Sequence, residues 1–156
     1  WSVHQKVIPQ ETEVIMAKEF DNLNSLLAYA ERDIKKVMQK EVAKAAKKNM
    51  KKAVETAVYD KYTPLYYNRR KDNGGLSDIN NMTSLPIENG IMLIDNAPLN
   101  NGRTDYRLDD IVVNRGVLGY PQGRDFYSET SDNLKKNRDF EEALVQGLKK
   151  KGYDIK

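Results

Sequence analysis

Apolar positions recur every three or four residues over the first third of the chain, which is the period of an amphipathic helix. The stripe runs from Leu23 to Val58, and no Gly or Pro interrupts residues 21–63. Asp21 precedes the stripe as an N-cap, and Pro64 restricts the residue before it, so we predict one helix over about residues 21–61. At about 1.5 Å per residue this helix is roughly 55 Å long. Such a length exceeds the width of a small domain, so the helix either kinks or packs on a neighbouring copy.

A hairpin is predicted in the middle of the chain. Ile87 and the run IMLID at 91–95 flank Glu88, Asn89 and Gly90. The Asn-Gly pair is favoured in tight β-turns, because both residues tolerate a positive φ. The pattern therefore predicts two antiparallel strands joined by this turn.

Helical signals return near the C-terminus. Residues 126–137 read as a short helix, and Asp139 with Glu142 three residues later resembles a capping box that starts another. Gly152 follows the lysines of the last turn, where a glycine commonly ends a helix. The closing GYDIK is a candidate strand.

Taken in order, these elements predict an α+β fold with a long N-terminal helix, a small antiparallel β-sheet and C-terminal helices. The chain has 156 residues, which favours a single domain over residues 21–156, after a lead-in segment over residues 1–20 that is short strand or helical turn.

Composition indicates a small core. Apolar residues make up 39% of the chain and charged residues 31%, with a mean hydropathy of −0.75. Average globular domains are less charged and more apolar, so much of this surface is solvated or covered by partners. With no cysteine, disulfides, thiolate metal sites and a cysteine nucleophile are excluded. No apolar run approaches the roughly 18 residues of a membrane span, so no membrane partner is predicted.

Lysines follow one side of the second half of the predicted helix. Five of them share a face at spacings of three and four: Lys36, Lys40, Lys44, Lys47 and Lys51. The net charge of +3 is lower than dedicated DNA-binding domains usually carry. The face is therefore interpreted as solvated, with a surface facing DNA or an acidic partner as the alternative.

The stretch YTPLYYNRRKDNGGLSD at 62–78 is the least generic part of the chain. A phosphate loop is excluded, because that motif places Lys and Ser or Thr after its glycines, whereas here the basic residues come first. Tyrosine and arginine together are enriched in protein interfaces, and they also bind single-stranded nucleic acid. We favour an interface, and expect Arg69 and Arg70 to be exposed. The predicted docking loop comprises Tyr62, Pro64, Tyr66, Tyr67, Arg69, Arg70, Gly74 and Gly75.

The carboxylates of the second half of the chain suggest one catalytic alternative, a metal-dependent nuclease. A metal-dependent nuclease needs several of them around a divalent cation, and the candidates are Asp105, Asp109, Asp110, Asp125 and Glu129. Acidic residues at such spacings are common in a charged chain, so surface ion pairing and helix capping is the favoured interpretation. The sequence predicts no catalytic residue, no metal and no cofactor.

The run VYDKYTPLYYNRRKDNGGLSDINNM resembles the neck and tail-completion proteins of long-tailed bacteriophages, especially those infecting Gram-positive hosts. In that family a helix runs into a Tyr-Thr-Pro element, followed by an Arg and a glycine turn before a strand. The matching residues here are Tyr62, Thr63, Pro64, Tyr66, Arg69, Arg70, Gly74, Gly75 and Leu76. Later segments that match are IDNAP at 94–98, residues 108–120, GRDFYSET at 123–130 and the closing LKKKGYDIK. Asp125 stands where the family more often has Pro, and Arg103 and Arg107 have no counterpart.

The resemblance implies a non-enzymatic virion component, assembled in the host cytoplasm. Such proteins form rings, commonly of six copies, at the head–tail junction or the upper end of the tail. The implied partners are other copies of the chain, head connector or adaptor proteins and tail tube proteins. DNA passes through the ring, so the lysine face is expected to line the lumen or to meet an acidic rim on the next ring. The alternative function is a small basic DNA-binding protein that uses the lysine face and the Tyr/Arg loop.

Overall fold

The computed structural model describes residues 19–99, 106–115 and 122–155. Most of the lead-in segment lies outside these ranges, as do Asp105, Arg103 and residues 116–120 of the family resemblance. The predictions made for those positions are therefore outside the described structure.

A long helix forms the spine of the protein. It begins as α1 (Leu23–Val37), passes through a π-helical segment (Met38–Val42), continues as α2 (Ala43–Val54) and ends in a second π-helical segment (Glu55–Tyr59). The predicted helix is thus confirmed to within two residues at either end. Asn22, not Asp21, is the N-cap: its side chain accepts a hydrogen bond from the backbone N–H of Ser25 at 2.9 Å, and the Ser25 hydroxyl accepts one in return.

The predicted hairpin is present. Strands β1 (Met82–Ile87) and β2 (Gly90–Asp95) pair antiparallel, with Ile87 opposite Gly90 and Met82 opposite Asp95. Glu88 and Asn89 form the two-residue turn, one position before the Asn-Gly pair, and neither Asn89 nor Gly90 has the positive φ that this pair favours. A short 3-10 turn (Ile79–Asn81) leads into β1.

Three further helices complete the α+β fold. The short α3 (Leu108–Asp110) runs into a π-helical segment (Ile111–Arg115), and α4 (Phe126–Lys136) and α5 (Asp139–Lys149) follow. α4 packs along α2, while α5 lies against α1, α2 and the π-helical segment between them. α5 comes so close that a Cβ on Gly147 would meet Cγ1 of Val37 at 2.3 Å.

The start of α5 differs from the prediction, whereas its end agrees with it. The predicted capping box at Asp139 is wrong: the N-cap is Arg138, with φ 57°, and no side chain caps the helix. Asp139 instead accepts a hydrogen bond at 2.9 Å from Asn49 on α2. Gly152 has the expected role, since its φ is +88° and Tyr153 N–H reaches back to the carbonyl of Leu148.

No strand follows α5 in the described residues 153–155. Lys151 and Tyr153 instead bind the buried carboxylate of Asp33 on α1, at 3.0 and 3.2 Å. The Lys151 ammonium is the main reason that the pKa of Asp33 lies below its usual value. The segment after α5 is thereby fastened to the first half of the long helix.

The core lies against the second half of the long helix. Met50, Val54 and Val58 pack with buried residues from the glycine turn, the hairpin and its flank, the segment after α3, and α4: Leu76, Met82, Ala97, Val112 and Phe126. The apolar stripe at the start of α1 lies outside this core and stays exposed. Leu23, Leu26 and Leu27 remain 67%, 41% and 57% exposed, so the first turns of the long helix carry an apolar surface that the described residues leave open.

Candidate docking surface

The predicted docking loop starts where the long helix ends. The last carbonyls of a helix have no partner within it, and here arginine side chains take that place. Arg69 Nη1 donates to the carbonyl of Tyr59 at 2.7 Å, and Arg124 Nη1 to that of Val58 at 3.5 Å. The loop is therefore tied to the helix end by charge-assisted hydrogen bonds.

Arg69 also lies between two aromatic rings. Its guanidinium carbon is 4.9 Å from the ring centre of Tyr59 and 5.5 Å from that of Tyr62. Both distances are within the range of cation–π attraction. Tyr62 is half-buried as a result.

The expectation that Arg69 and Arg70 are exposed is wrong. Both are half-buried, and Arg70 Nη2 donates to the carbonyl of Pro98. The two arginines act first as internal supports of the loop, because the helix end and the segment after β2 both present unpaired carbonyls to them. Replacing both arginines with alanine would therefore loosen the loop itself.

Gly74 and Gly75 form the predicted turn. Gly74 has φ +80°, and its N–H donates to the Asp78 carboxylate at 2.8 Å. A Cβ on Gly75 would lie 2.5 Å from the carbonyl oxygen of Lys71, so the backbone itself requires glycine there. Hydrogen bonds from the backbone of Gly74 and Asn80 hold the pKa of Asp78 below its usual value.

Asp72 ties this turn to the long helix. Its carboxylate receives the ammonium of Lys51 at 2.7 Å and the hydroxyl of Ser77 at 2.8 Å. The hydrogen bond from Lys51 is the largest cause of the lowered pKa of Asp72. The base of the loop is thus rigidly held on both sides.

The tip of the loop, by contrast, is open. Leu65, Tyr66 and Tyr67 are 81%, 95% and 53% exposed, and we refer to these three residues as the loop tip. Pro64, just before them, is half-buried. Three consecutive large side chains in water, on a base fixed by arginines and glycines, have the character of a contact surface.

The second open apolar surface is the helix-start patch, defined as Leu23, Leu26 and Leu27. It lies at the other end of the long helix, about 55 Å away along the helix axis if each residue adds about 1.5 Å. Phe20 precedes it and packs on Tyr29, with ring centres 5.3 Å apart. The described residues therefore present unlike apolar surfaces near the two ends of the long helix.

The predicted lysine face is only partly uniform. Lys36, Lys40 and Lys44 are exposed, whereas Lys47 and Lys51 are half-buried. Lys40, Lys44 and Lys47 line a groove beneath the hairpin, beside Ile79 and Ser84. Lys51 is already paired with Asp72, so it belongs to the support of the loop. Contact with DNA or an acidic partner stays a prediction for the others.

The carboxylates of the nuclease alternative have separate partners. Asp110 pairs with Arg115 at 3.2 Å, Asp125 caps α4 through Ser128, and Glu129 receives the hydroxyl of Thr56. The hydrogen bond from the Ser128 hydroxyl, followed by the capping bond from the Ser128 backbone N–H, lowers the pKa of Asp125. Within the described ranges, no group of three His, Cys, Asp or Glu side chains is placed to hold a metal ion.

Asp109 departs from the expected surface role. It is buried, and it accepts two hydrogen bonds from Arg107, at 3.0 and 2.6 Å, and one from the Tyr127 hydroxyl at 2.7 Å. The same hydroxyl accepts the backbone N–H of Asp95 at 2.9 Å. This network joins the end of β2 to α3 and α4.

Asp95 is the carboxylate that the sequence reasoning missed. It is fully buried, one oxygen accepts the N–H of Ala97 at 2.8 Å, and the other has no hydrogen-bond partner in the described structure. Burial raises its pKa to about 7. Its place at the end of an apolar strand, in IDNAP, was a signal for a residue that leads into a turn.

Comparison with known proteins places the chain in one family. No curated protein and no solved structure matches it. No helix in the described part of the chain is long and apolar enough to cross a membrane. A family model described as YomN matches residues 22–150, which is well over half of the chain and includes both apolar surfaces. That name is of a Bacillus phage SPBc2-type protein, which indicates a phage-related protein. The chain belongs to the YomN family.

Proposed function

We propose that this protein is a structural subunit of a tailed-phage virion, which assembles into a ring at the head–tail junction or the upper end of the tail. The observation that carries the proposal is the pair of unlike apolar surfaces at opposite ends of one long helix. The phage-related family and the resemblance to neck and tail-completion proteins support the same assignment.

Two unlike surfaces matter because of symmetry. A contact between a surface and its own copy closes after two subunits, whereas a contact between two different surfaces propagates and closes into a ring if the rotation allows. In the proposed ring the loop tip of one subunit packs on the helix-start patch of the next. Leu65 and Leu23 are among the most exposed apolar residues of the chain, and this contact would cover both.

Energetics favour such a contact. Full burial of a leucine side chain stabilises by roughly 1.5–3 kcal/mol, and tyrosine is among the residues that most often dominate binding energy. The rigid base of the loop lowers the entropy lost on association, since its backbone is already held by Gly74, Gly75 and Asp72. The remaining outer surfaces would meet connector and tube proteins.

The test measures mass in solution by size-exclusion chromatography with light scattering, alone and after addition of purified phage tails. The proposal expects a ring-sized oligomer, or a monomer that assembles only on tails. Tyr66→Ser should abolish that assembly while leaving the circular dichroism spectrum unchanged, because Tyr66 is 95% exposed. Met92→Ser is the matched control and should assemble normally, because Met92 lies on the hairpin and is 45% exposed.

A strict monomer under both conditions would overturn the proposal. If that monomer also binds duplex DNA at physiological salt, with an affinity that falls steeply as salt rises, the alternative function as a DNA-binding protein is supported instead. Normal assembly of Tyr66→Ser would overturn the assigned role of the loop tip.

A further inference from the structure

A cavity lies behind the loop tip. Its volume is about 320 Å³, and apolar side chains from the core and its margin line its floor: Val58, Leu76, Leu99, Leu108 and Val112. The rim consists of Tyr62, Tyr67, Asn68, Arg69 and Arg70, and the buried Arg124 is also part of the lining. We refer to this cavity as the loop pocket.

The charge of the loop pocket is unbalanced. Three arginines line it, and among the described lining residues there is no carboxylate. Arg69 and Arg70 donate to the backbone carbonyls of Tyr59 and Pro98, which neutralise no charge. A cationic rim over an apolar floor is complementary to a carboxylate beside an apolar side chain.

Arg69 sharpens this argument. Its Nη2 is buried, yet it has no hydrogen-bond partner in the described structure. A buried donor without an acceptor costs free energy, most of all on a charged group. An incoming carboxylate oxygen would satisfy it.

A phosphate or a nucleobase suits the loop pocket less well. The guanidinium of Arg69 already lies over the ring of Tyr62, so this aromatic face is taken. The apolar floor would receive the strongly hydrated phosphate poorly. Tyr66, the most exposed ring in the loop, is outside the pocket lining.

The matching chemistry occurs at the other end of this same chain. Glu19 and Asp21 are exposed and lie four and two positions before Leu23, which is 67% exposed. The three residues lie at the start of the helix-start patch, which the proposed ring contact already brings to the loop. A carboxylate and a leucine are thus presented together, as the loop pocket requires.

We infer that the loop pocket receives the helix start of a second copy: the side chain of Leu23 enters the apolar floor, and the carboxylate of Asp21 binds the free donor of Arg69. The inference rests on the proposed ring contact and identifies which segment of the second copy fills the loop pocket. It makes the assembly contact partly electrostatic, so the contact weakens as salt rises.

The experiment uses charge exchange at exposed positions, because Arg69 itself supports the loop. Asn68→Asp places a negative charge on the rim, and Asp21→Lys reverses the charge of the occupant. Each single variant is expected to lower the association constant about tenfold at low salt, by like-charge repulsion. The double variant is expected to recover most of the loss, because the new charges attract. Glu88→Lys, at the exposed hairpin turn, carries the same charge change as Asp21→Lys and should associate normally.

The outcomes separate this inference from the proposed function. If the unmodified chain assembles but the single variants associate normally, or the double variant shows the summed loss without recovery, the occupant is wrong and the ring proposal stands. If the unmodified chain does not assemble, alone or on tails, both fail. The contact is established if each single variant lowers the association constant tenfold, the double variant recovers most of that loss, and the losses become smaller in 0.5 M salt.

Discussion

The buried carboxylate of Asp95 gives a quantitative prediction about stability and pH. Its pKa is about 7 in the folded protein and 3.8 is the ordinary value, with burial as the main cause. The folded state therefore retains a proton that the unfolded chain releases above about pH 4. Because the unfolded state binds fewer protons between those values, stability falls as pH rises from about 4 to about 7 and is then constant.

The size of this effect follows from the two pKa values. One pKa unit corresponds to about 1.4 kcal/mol, so ionising Asp95 costs the folded state on the order of 4 kcal/mol at pH 8. Asp95→Asn cannot ionise and keeps an oxygen for the N–H of Ala97. Relative to the unmodified protein, the variant should gain about 3 kcal/mol more stability at pH 8 than at pH 4.5.

Urea unfolding at the two pH values measures this difference directly. Asp110→Asn is the matched control, since Asp110 pairs with Arg115 near the surface and its removal also deletes one negative charge. The control should show little of the pH-dependent gain. An Asp95→Asn variant whose stability relative to the unmodified protein is the same at both pH values would refute the reasoning.

Two predictions concern the supports of the docking loop. Arg69→Ala removes the hydrogen bond to the Tyr59 carbonyl and the contacts with the two tyrosine rings. Urea titration should therefore show a free energy of unfolding about 2–4 kcal/mol lower. An unchanged urea midpoint would contradict the supporting role of Arg69. Gly75→Ala places a Cβ 2.5 Å from the carbonyl oxygen of Lys71, so thermal unfolding should show a loss of about 2 kcal/mol. Gly90→Ala, whose Cβ would meet its nearest atoms at 3.9 Å, serves as control and should change stability by less than about 0.5 kcal/mol; equal losses in both glycine variants would refute the steric argument.

Local patterns were sufficient for the elements themselves. The period of apolar residues predicts the long helix, and the apolar runs around Glu88-Asn89-Gly90 predict the hairpin, although its turn falls one position before the Asn-Gly pair. Gly152 ends α5 because the left-handed conformation needed there favours glycine. In each case the information lies within a few residues of the feature, so an isolated sequence contains it.

Features that depend on distant partners were predicted poorly. Asp139 has the spacing of a capping box, but Asn49, ninety positions earlier, takes its carboxylate. Arg69 and Arg70 look like surface residues until the helix end and Pro98 bring unpaired carbonyls beside them. Asp95 is likewise bonded through its backbone N–H to the hydroxyl of Tyr127 on α4, a contact that no local pattern indicates.

The candidate docking surface was predicted in part for the same reason. The glycine turn and the exposed tyrosines follow from local chemistry, and Tyr66 is the clearest example. The loop pocket does not, since its floor is assembled from α3, the helix end and the segment after β2. That the apolar stripe at Leu23 stays open emerges only when the fold shows where the core stops.

Cross-linking between the two ends of the molecule tests the central claim most directly. The chain has no cysteine, so Leu23→Cys and Leu65→Cys can be introduced together and joined by a short bismaleimide. The ends are about 55 Å apart along the helix, so the reagent cannot join them within one subunit. The account predicts a ladder of covalent multimers from the double variant and monomers from each single variant. Monomers alone from the double variant, or dimers from a single variant, would contradict the head-to-tail ring.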